Sequence, residues 1–222
     1  MLKGYQKDWE DMSDYAVHFT KDIEGATAYA NVMSILWDGL LKAINPFGMG
    51  RKKAPEIASQ NVCCFSEVPL HLLKRIAEKR SPYGIGFKKQ FLVSTGANPI
   101  LYAYKSSALE SALSSLSDPT NATMGHPIWA VTPFVDVPGD YNGKPFHFEW
   151  EREWRHVGDM KFAPKDVACL IIPEQFHAKA RRFFKDAIKQ HTGPGYLCPY
   201  VDATWNVDKV HKALRKNSAP KV

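Results

Sequence analysis

No apolar run in this chain approaches the roughly 18–20 residues that a membrane-spanning helix needs. The opening stretch, MLKGYQKDWEDMSDY, is charged and lacks the apolar region of a secretory signal. The expectation is a cytoplasmic protein with no membrane partner. Cysteine is scarce. The four cysteines, Cys63, Cys64, Cys169 and Cys198, form no CxxC pair and show no His/Cys spacing suited to zinc. That argues against a disulfide framework and a metal centre, and for reduced thiols in a core. Internal repeats and low-complexity segments are also missing, which excludes solenoids and disordered linkers.

What is present is ordinary for a globular protein. The 222 residues are 45% hydrophobic and 23% charged, enough for one domain with a core of normal size. The net charge of +6 and pI near 9.0 permit a nucleic-acid or nucleotide partner without requiring one. The cations are spread out. Local clusters are Arg51-Lys52-Lys53, Lys88-Lys89, Arg181-Arg182 and a C-terminal group of Lys209, Lys212, Arg215 and Lys216. Solvated helix faces explain these equally well.

Alternation predicts a strand at Tyr15–Thr20, and β-rich or continuously apolar runs predict others at Val62–Phe65, Tyr83–Phe87, Pro99–Tyr104, Val167–Ile172 and Tyr200–Ala203. Apolar spacing predicts helices over Ala26–Ala43, Leu70–Lys79, Ser107–Leu116, Pro173–Gln190 and Val207–Lys216. Asn45–Glu56, rich in Pro, Gly and cations, reads as an exposed loop, and Ile128–Val137 is apolar but ambiguous. DVPGDYNGKP reads as a turn, and the closing NSAPKV as a frayed end. Such an irregular mixture argues for the α+β class.

One stretch, FHFEWEREWRHVGD from Phe146 to Asp159, carries unusual chemistry. Read as a strand, it places Glu149, Glu151, Glu153 and Arg155 on one face and Phe148, Trp150, Arg152 and Trp154 on the other. Carboxylates about 6.5–7 Å apart on one face repel unless something screens them. Over a cleft, such a pair suits glycoside cleavage, with one acid and one base or nucleophile. It equally suits cleavage of the ribosyl bond of NAD, where a carboxylate stabilises the oxocarbenium-like sugar and a second orients the acceptor. A charged, solvated edge strand with an aromatic inner face has the same pattern.

Further stretches stand in order along the chain: VHFTK (Val17–Lys21), NVMSILWDGLL (Asn31–Leu41), VCCFSEVPL (Val62–Leu70), SPYGIGFKK (Ser81–Lys89), ANPILY (Ala97–Tyr102) and EREWR (Glu151–Arg155). The opening pair resembles DarT-like ADP-ribosyltransferases. The ordered set, spanning residues 15 to 172, resembles the AbiGi family of bacterial abortive-infection proteins. The resemblance implies a single ADP-ribosyltransferase-like domain over residues 1–222, with a split, mostly antiparallel β core flanked by helices. Residues 173–222 would then be a C-terminal helical extension packed on it. It implies NAD as substrate, with no metal. It gives Glu153 and Glu151 the catalytic roles, on the ribose and toward the acceptor, and leaves Glu149 as a rim charge. His18 and Thr20 would hold a ribose hydroxyl, Phe65 and Ser66 would shape the cleft, and Tyr83 would stack on nicotinamide. Arg51 would reach the pyrophosphate or acceptor, and Arg155 would pair with Glu153 or with phosphate.

The implied function is an NAD-dependent ADP-ribosyltransferase in anti-phage defence or a toxin–antitoxin system. Its acceptor would be DNA, RNA or protein, and its partner a cognate toxin or antitoxin. Two other readings stay open: a non-catalytic antitoxin or sensor that keeps the fold, and an NAD glycohydrolase.

Overall fold

The computed structural model describes residues 13–67 and 69–215. Most of the charged opening stretch, the NSAPKV end and Lys216 lie outside the described residues. The class is α+β, and the strand pairing is mostly antiparallel. The chain divides into two compact units.

The first unit takes the described residues of Met1–Gly39, Glu67–Gln90 and Phe162–Val222. Its strands run in the order Tyr200–Val201, Val167–Ile171, Gly84–Lys88, Tyr15–Phe19. The last three are antiparallel neighbours, and Tyr200–Val201 adds in parallel to Val167–Ile171. The two glycines of the Gly84–Lys88 strand have a packing reason. A Cβ on Gly86 would come within 2.5 Å of the Cys169 sulfur, and one on Gly84 within 2.8 Å of Val17. The close approach allowed by glycine is therefore to neighbouring strands. Val17, Leu73, Ile76, Cys169, Ile171, Val201, Val210 and Leu214 form one core, which brings in the helices Leu73–Lys79 and Val207–Arg215. The helices Ala28–Asp38 and Glu174–Gln190 supply buried Val32, Leu36, Ala180, Phe184 and Ala187. The Tyr196 hydroxyl donates to the Leu36 carbonyl at 2.7 Å, and its ring meets Phe184.

The helix expected over Ala26–Ala43 is shorter than its apolar spacing predicted. Thr27 caps its start, and Gly39 ends it in the left-handed conformation at φ 60°. Leu40–Leu41 is instead a short strand paired with Met160–Lys161.

The second unit takes Leu40–Ser66 and Phe91–Lys161. Its central strand, Glu153–Val157, lies antiparallel between Val62–Ser66 and Asn98–Pro99. The stretch expected as one strand over Pro99–Tyr104 is two short pieces. Asn98–Pro99 joins Glu153–Val157, and Leu101–Tyr102 runs parallel to Val135–Asp136. The ambiguous apolar run resolves into a helix at Ile128–Val131, a 3-10 turn at Thr132–Phe134 and that short strand. DVPGDYNGKP forms a hairpin of Gly139–Tyr141 and Lys144–Phe146. Asn142 and Gly143 turn it with φ of 53° and 76°, the pair of positive values a two-residue hairpin favours.

The cationic Asn45–Glu56 loop is anchored through its backbone. Met49 N–H donates to the carbonyls of Thr132 and Val135. A Cβ on Gly50 would come within 2.3 Å of the Gln60 carboxamide oxygen. Gln60 is itself fully buried, accepting from the Thr132 hydroxyl and donating to the Trp129 carbonyl.

Candidate functional site

The glutamate-rich stretch is not one strand. Phe148 precedes a 3-10 turn at Glu149–Glu151, Arg152 follows in the left-handed conformation at φ 45°, and only then does the Glu153–Val157 strand begin. Strand alternation therefore reaches Glu153 and Arg155 but not Glu149 or Glu151. Successive side chains on a 3-10 turn point about 120° apart. The expected row of three carboxylates on one face is thus corrected to one strand carboxylate preceded by two on a turn. The two tryptophans separate as well. Trp154 is buried, whereas Trp150 and Phe148 are exposed.

Glu149 is held by its surroundings. Burial works against its charge, but its own backbone amide, the Tyr104 hydroxyl and His147 outweigh that and keep its carboxyl below the usual range. The His147 ring stands 3.5 Å from its carboxylate. Glu151 is buried, at 5% exposure.

Glu153 and Arg155 share a face, as alternation requires, and they bind one another. The Arg155 Nε donates to one carboxylate oxygen of Glu153 at 2.9 Å, and the Arg155 Nη2 donates to the other at 3.0 Å. Nη2 also reaches Asp136 at 2.5 Å, and Nη1 donates to the Pro133 carbonyl at 2.7 Å. The Phe47 ring stacks beneath the guanidinium, 5.2 Å from its centre. Arg155 is completely buried. Burial alone disfavours its charge, but Glu153 and Asp136 overcome that and hold its pKa above the ordinary value. Of the two expected partners for Arg155, Glu153 is the one it takes.

The network reaches two further groups. In strand register Cys64 stands opposite Arg155, and Ser66 opposite Glu153. Burial first, then the Glu153 carboxylate, pushes the Cys64 thiol well above its usual value. Among the buried side-chain polar atoms of the described residues, the Tyr102 hydroxyl alone has no hydrogen-bond partner. It lies beside the Glu153 main chain without meeting hydrogen-bond geometry. Burial, reinforced by the charges of Glu153 and Asp136, pushes it up to about 12. Sequence reasoning missed Asp136, Phe47 and Tyr102. The one available signal was an aspartate inside the otherwise apolar end of the Ile128–Val137 run.

The other expected residues fall as follows. In the second unit, Phe65 is 1% exposed and packed in the core, and Ser66 is buried. Arg51 is exposed on the turn after Gly48. In the first unit, His18 is half-buried on its strand, opposite Ile85. Thr20 is buried, and its hydroxyl donates to the Ala28 carbonyl at 2.8 Å. Tyr83 accepts the Thr20 N–H on its carbonyl. Its ring packs against Tyr29 and Phe176, with centroids 5.5 and 6.5 Å away. Among the described residues no group of three or more His, Cys, Asp or Glu could hold a metal ion. None of their helices is long and apolar enough to cross a membrane.

These features define an α+β protein with a buried carboxylate–guanidinium centre in its second unit. Over residues 41–191 the chain matches the family described as "Putative abortive phage resistance protein AbiGi, antitoxin". The chain belongs to that family. No curated protein and no solved structure matches it.

Proposed function

We propose that the chain is the antitoxin of an abortive-infection pair, a protein that acts by binding a cognate toxin. The carrying observation is the condition of Glu153. Both of its oxygens are held by Arg155, whose charge is in turn matched by Asp136. A carboxylate so engaged serves the fold, and the Arg155 charge beside it would offset its pull on an oxocarbenium ion. The family description, which names an antitoxin, supports the same reading.

A second reading, NAD-dependent ADP-ribosyl transfer or NAD hydrolysis, draws on one observation. The Glu153 side chain retains 15% exposure at the first position of its strand, opposite Ser66. Catalysis would then fall to Glu153 and Glu151, with NAD as substrate.

One pair of experiments separates them. The cognate toxin is expressed with and without the chain, and purified chain is incubated with labelled NAD and lysate, with and without nuclease. The antitoxin reading expects growth restored by the chain, restored equally by Glu153→Gln, and no NAD consumed. Growth arrest by the chain alone, with NAD consumed by wild type but not by Glu153→Gln, would replace it with the enzymatic reading.

A further inference from the structure

The C-terminal cation cluster has no part in either reading of Glu153, and the structure gives it a shape. The helix Val207–Arg215 turns Val210 and Leu214 into the core of the first unit. Its exposed side carries Lys209, Lys212 and Arg215 at three-residue intervals. At 1.5 Å per residue, the row advances about 4.5 Å per step and about 9 Å in all. A fourth cation, Arg181, comes from the helix Glu174–Gln190.

Two adjoining concavities follow this row. One of about 320 Å³ is lined by His177, Arg181, Tyr200, Trp205, Lys209 and Lys212, among others. The next, of about 460 Å³, is lined by Asp208, His211, Lys212 and Arg215. Lys212 belongs to both.

Two of the four cations, Arg181 and Lys209, are held in place by aromatic rings. The Arg181 guanidinium lies 4.0 Å over the Tyr200 ring, and the Lys209 ammonium 4.0 Å over the Trp205 ring. Glu174 steadies the second pair, accepting from Lys209 at 2.8 Å and from the Trp205 indole at 2.7 Å. Arg181, Lys212 and Arg215 make no ion pair with any described residue. Four cations thus face three carboxylates, Glu174, Asp202 and Asp208. Asp208 stands four residues before Lys212, the spacing at which a solvated helix face pairs its charges, yet the two form no ion pair.

We infer that this cation row is a nucleic-acid-binding track, with Arg181, Lys209, Lys212 and Arg215 contacting successive phosphates of a strand. A row matches a string of phosphates, whereas cations converging on one point would match a single anion. Ring-stacked cations are pre-ordered, so little side-chain freedom is lost on contact. The contacts described are all to phosphate, so affinity is expected to depend on salt far more than on sequence.

The test is fluorescence anisotropy of the full chain with labelled oligonucleotides of about 20 nucleotides, single-stranded and duplex. Salt is varied from about 50 to 200 mM, and ATP serves as the single-nucleotide competitor. Wild type is expected to bind at least one form of strand, more tightly than ATP. Lys212→Glu with Arg215→Glu, both exposed, should weaken binding at least about tenfold. Lys212→Ala with Arg215→Ala should flatten the log–log salt slope by about 0.7–0.9 per cation removed. Lys144→Glu with Lys161→Glu, an equal charge change in the other unit, should leave binding within about twofold. The track is overturned if wild type binds neither strand at low salt. It is equally overturned if ATP competes as well as a strand does, or if the two glutamate pairs weaken binding alike.

Discussion

A buried arginine is tolerated only where every charge and donor around it is matched, because desolvating the guanidinium costs several kcal/mol. At Arg155 the match comes from Glu153, Asp136, the Pro133 carbonyl and the Phe47 ring. Replacing it with methionine keeps much of the volume but strands two largely buried carboxylates, whose side chains are 15% and 11% exposed. The loss should be about 3–5 kcal/mol, read as a lower urea midpoint followed through tryptophan fluorescence. Glu153→Gln should cost less, since the amide oxygen still accepts from Arg155 and Asp136 still matches its charge. If Arg155→Met unfolds at the wild-type midpoint, the network carries no such weight.

At the scale of elements, the sequence was informative wherever one force acted alone. The helices Ala108–Leu116 and Glu174–Gln190 and the strands Tyr15–Phe19 and Val167–Ile171 lie where their apolar residues placed them. It was uninformative where alternation arose by coincidence. EWEREWR has the period of a strand, yet Arg152 takes a left-handed conformation and divides it. The Glu153–Arg155 pairing was legible because both residues lie on the strand side of that break. Asp136 was not, because its partnership with Arg155 depends on a contact 19 positions away along the chain. Helix capping shows the same limit. Pro173 opens Glu174–Gln190 without a capping side chain, and Asp202 supplies one from outside, accepting the Glu174 N–H at 2.7 Å. Asp202→Ala should therefore behave like loss of an N-cap, costing about 0.5–2 kcal/mol. Hydrogen exchange should show faster exchange in the first turn of that helix. Unchanged exchange there would mean that the Asp202 contact caps nothing.

For the molecule as a whole, the shifted groups give stability a defined dependence on pH. The carboxyls of Asp118, Glu149, Glu174 and Asp202 are all held below their usual values. For Asp118 the cause is the Thr120 hydroxyl and amide, and for Glu174 it is Lys209. For Asp202, burial opposes the shift and the amides of Glu174 and Thr204 overcome it. A carboxyl with a depressed folded pKa stabilises the fold above its unfolded value near 4 and ceases to as the pH falls through the folded value. His177 acts earlier. Its Nε2 donates to the Ile172 carbonyl at 2.7 Å, which fixes that nitrogen as protonated in the neutral ring. Burial, with Arg181 adding, lowers its pKa against the opposing pull of the Ile172 hydrogen bond, Asp202 and Glu174. The unfolded chain therefore takes up this proton first as the pH drops. Stability falls from about pH 6.5 downward on account of His177, then more steeply below about pH 4 on account of the carboxyls. Urea midpoints at about pH 7.5, 5.5 and 3 resolve the two limbs. His177→Gln should remove part of the drop between the first two values and leave the acid limb intact. If the variant loses as much as wild type between pH 7.5 and 5.5, the near-neutral limb does not come from His177.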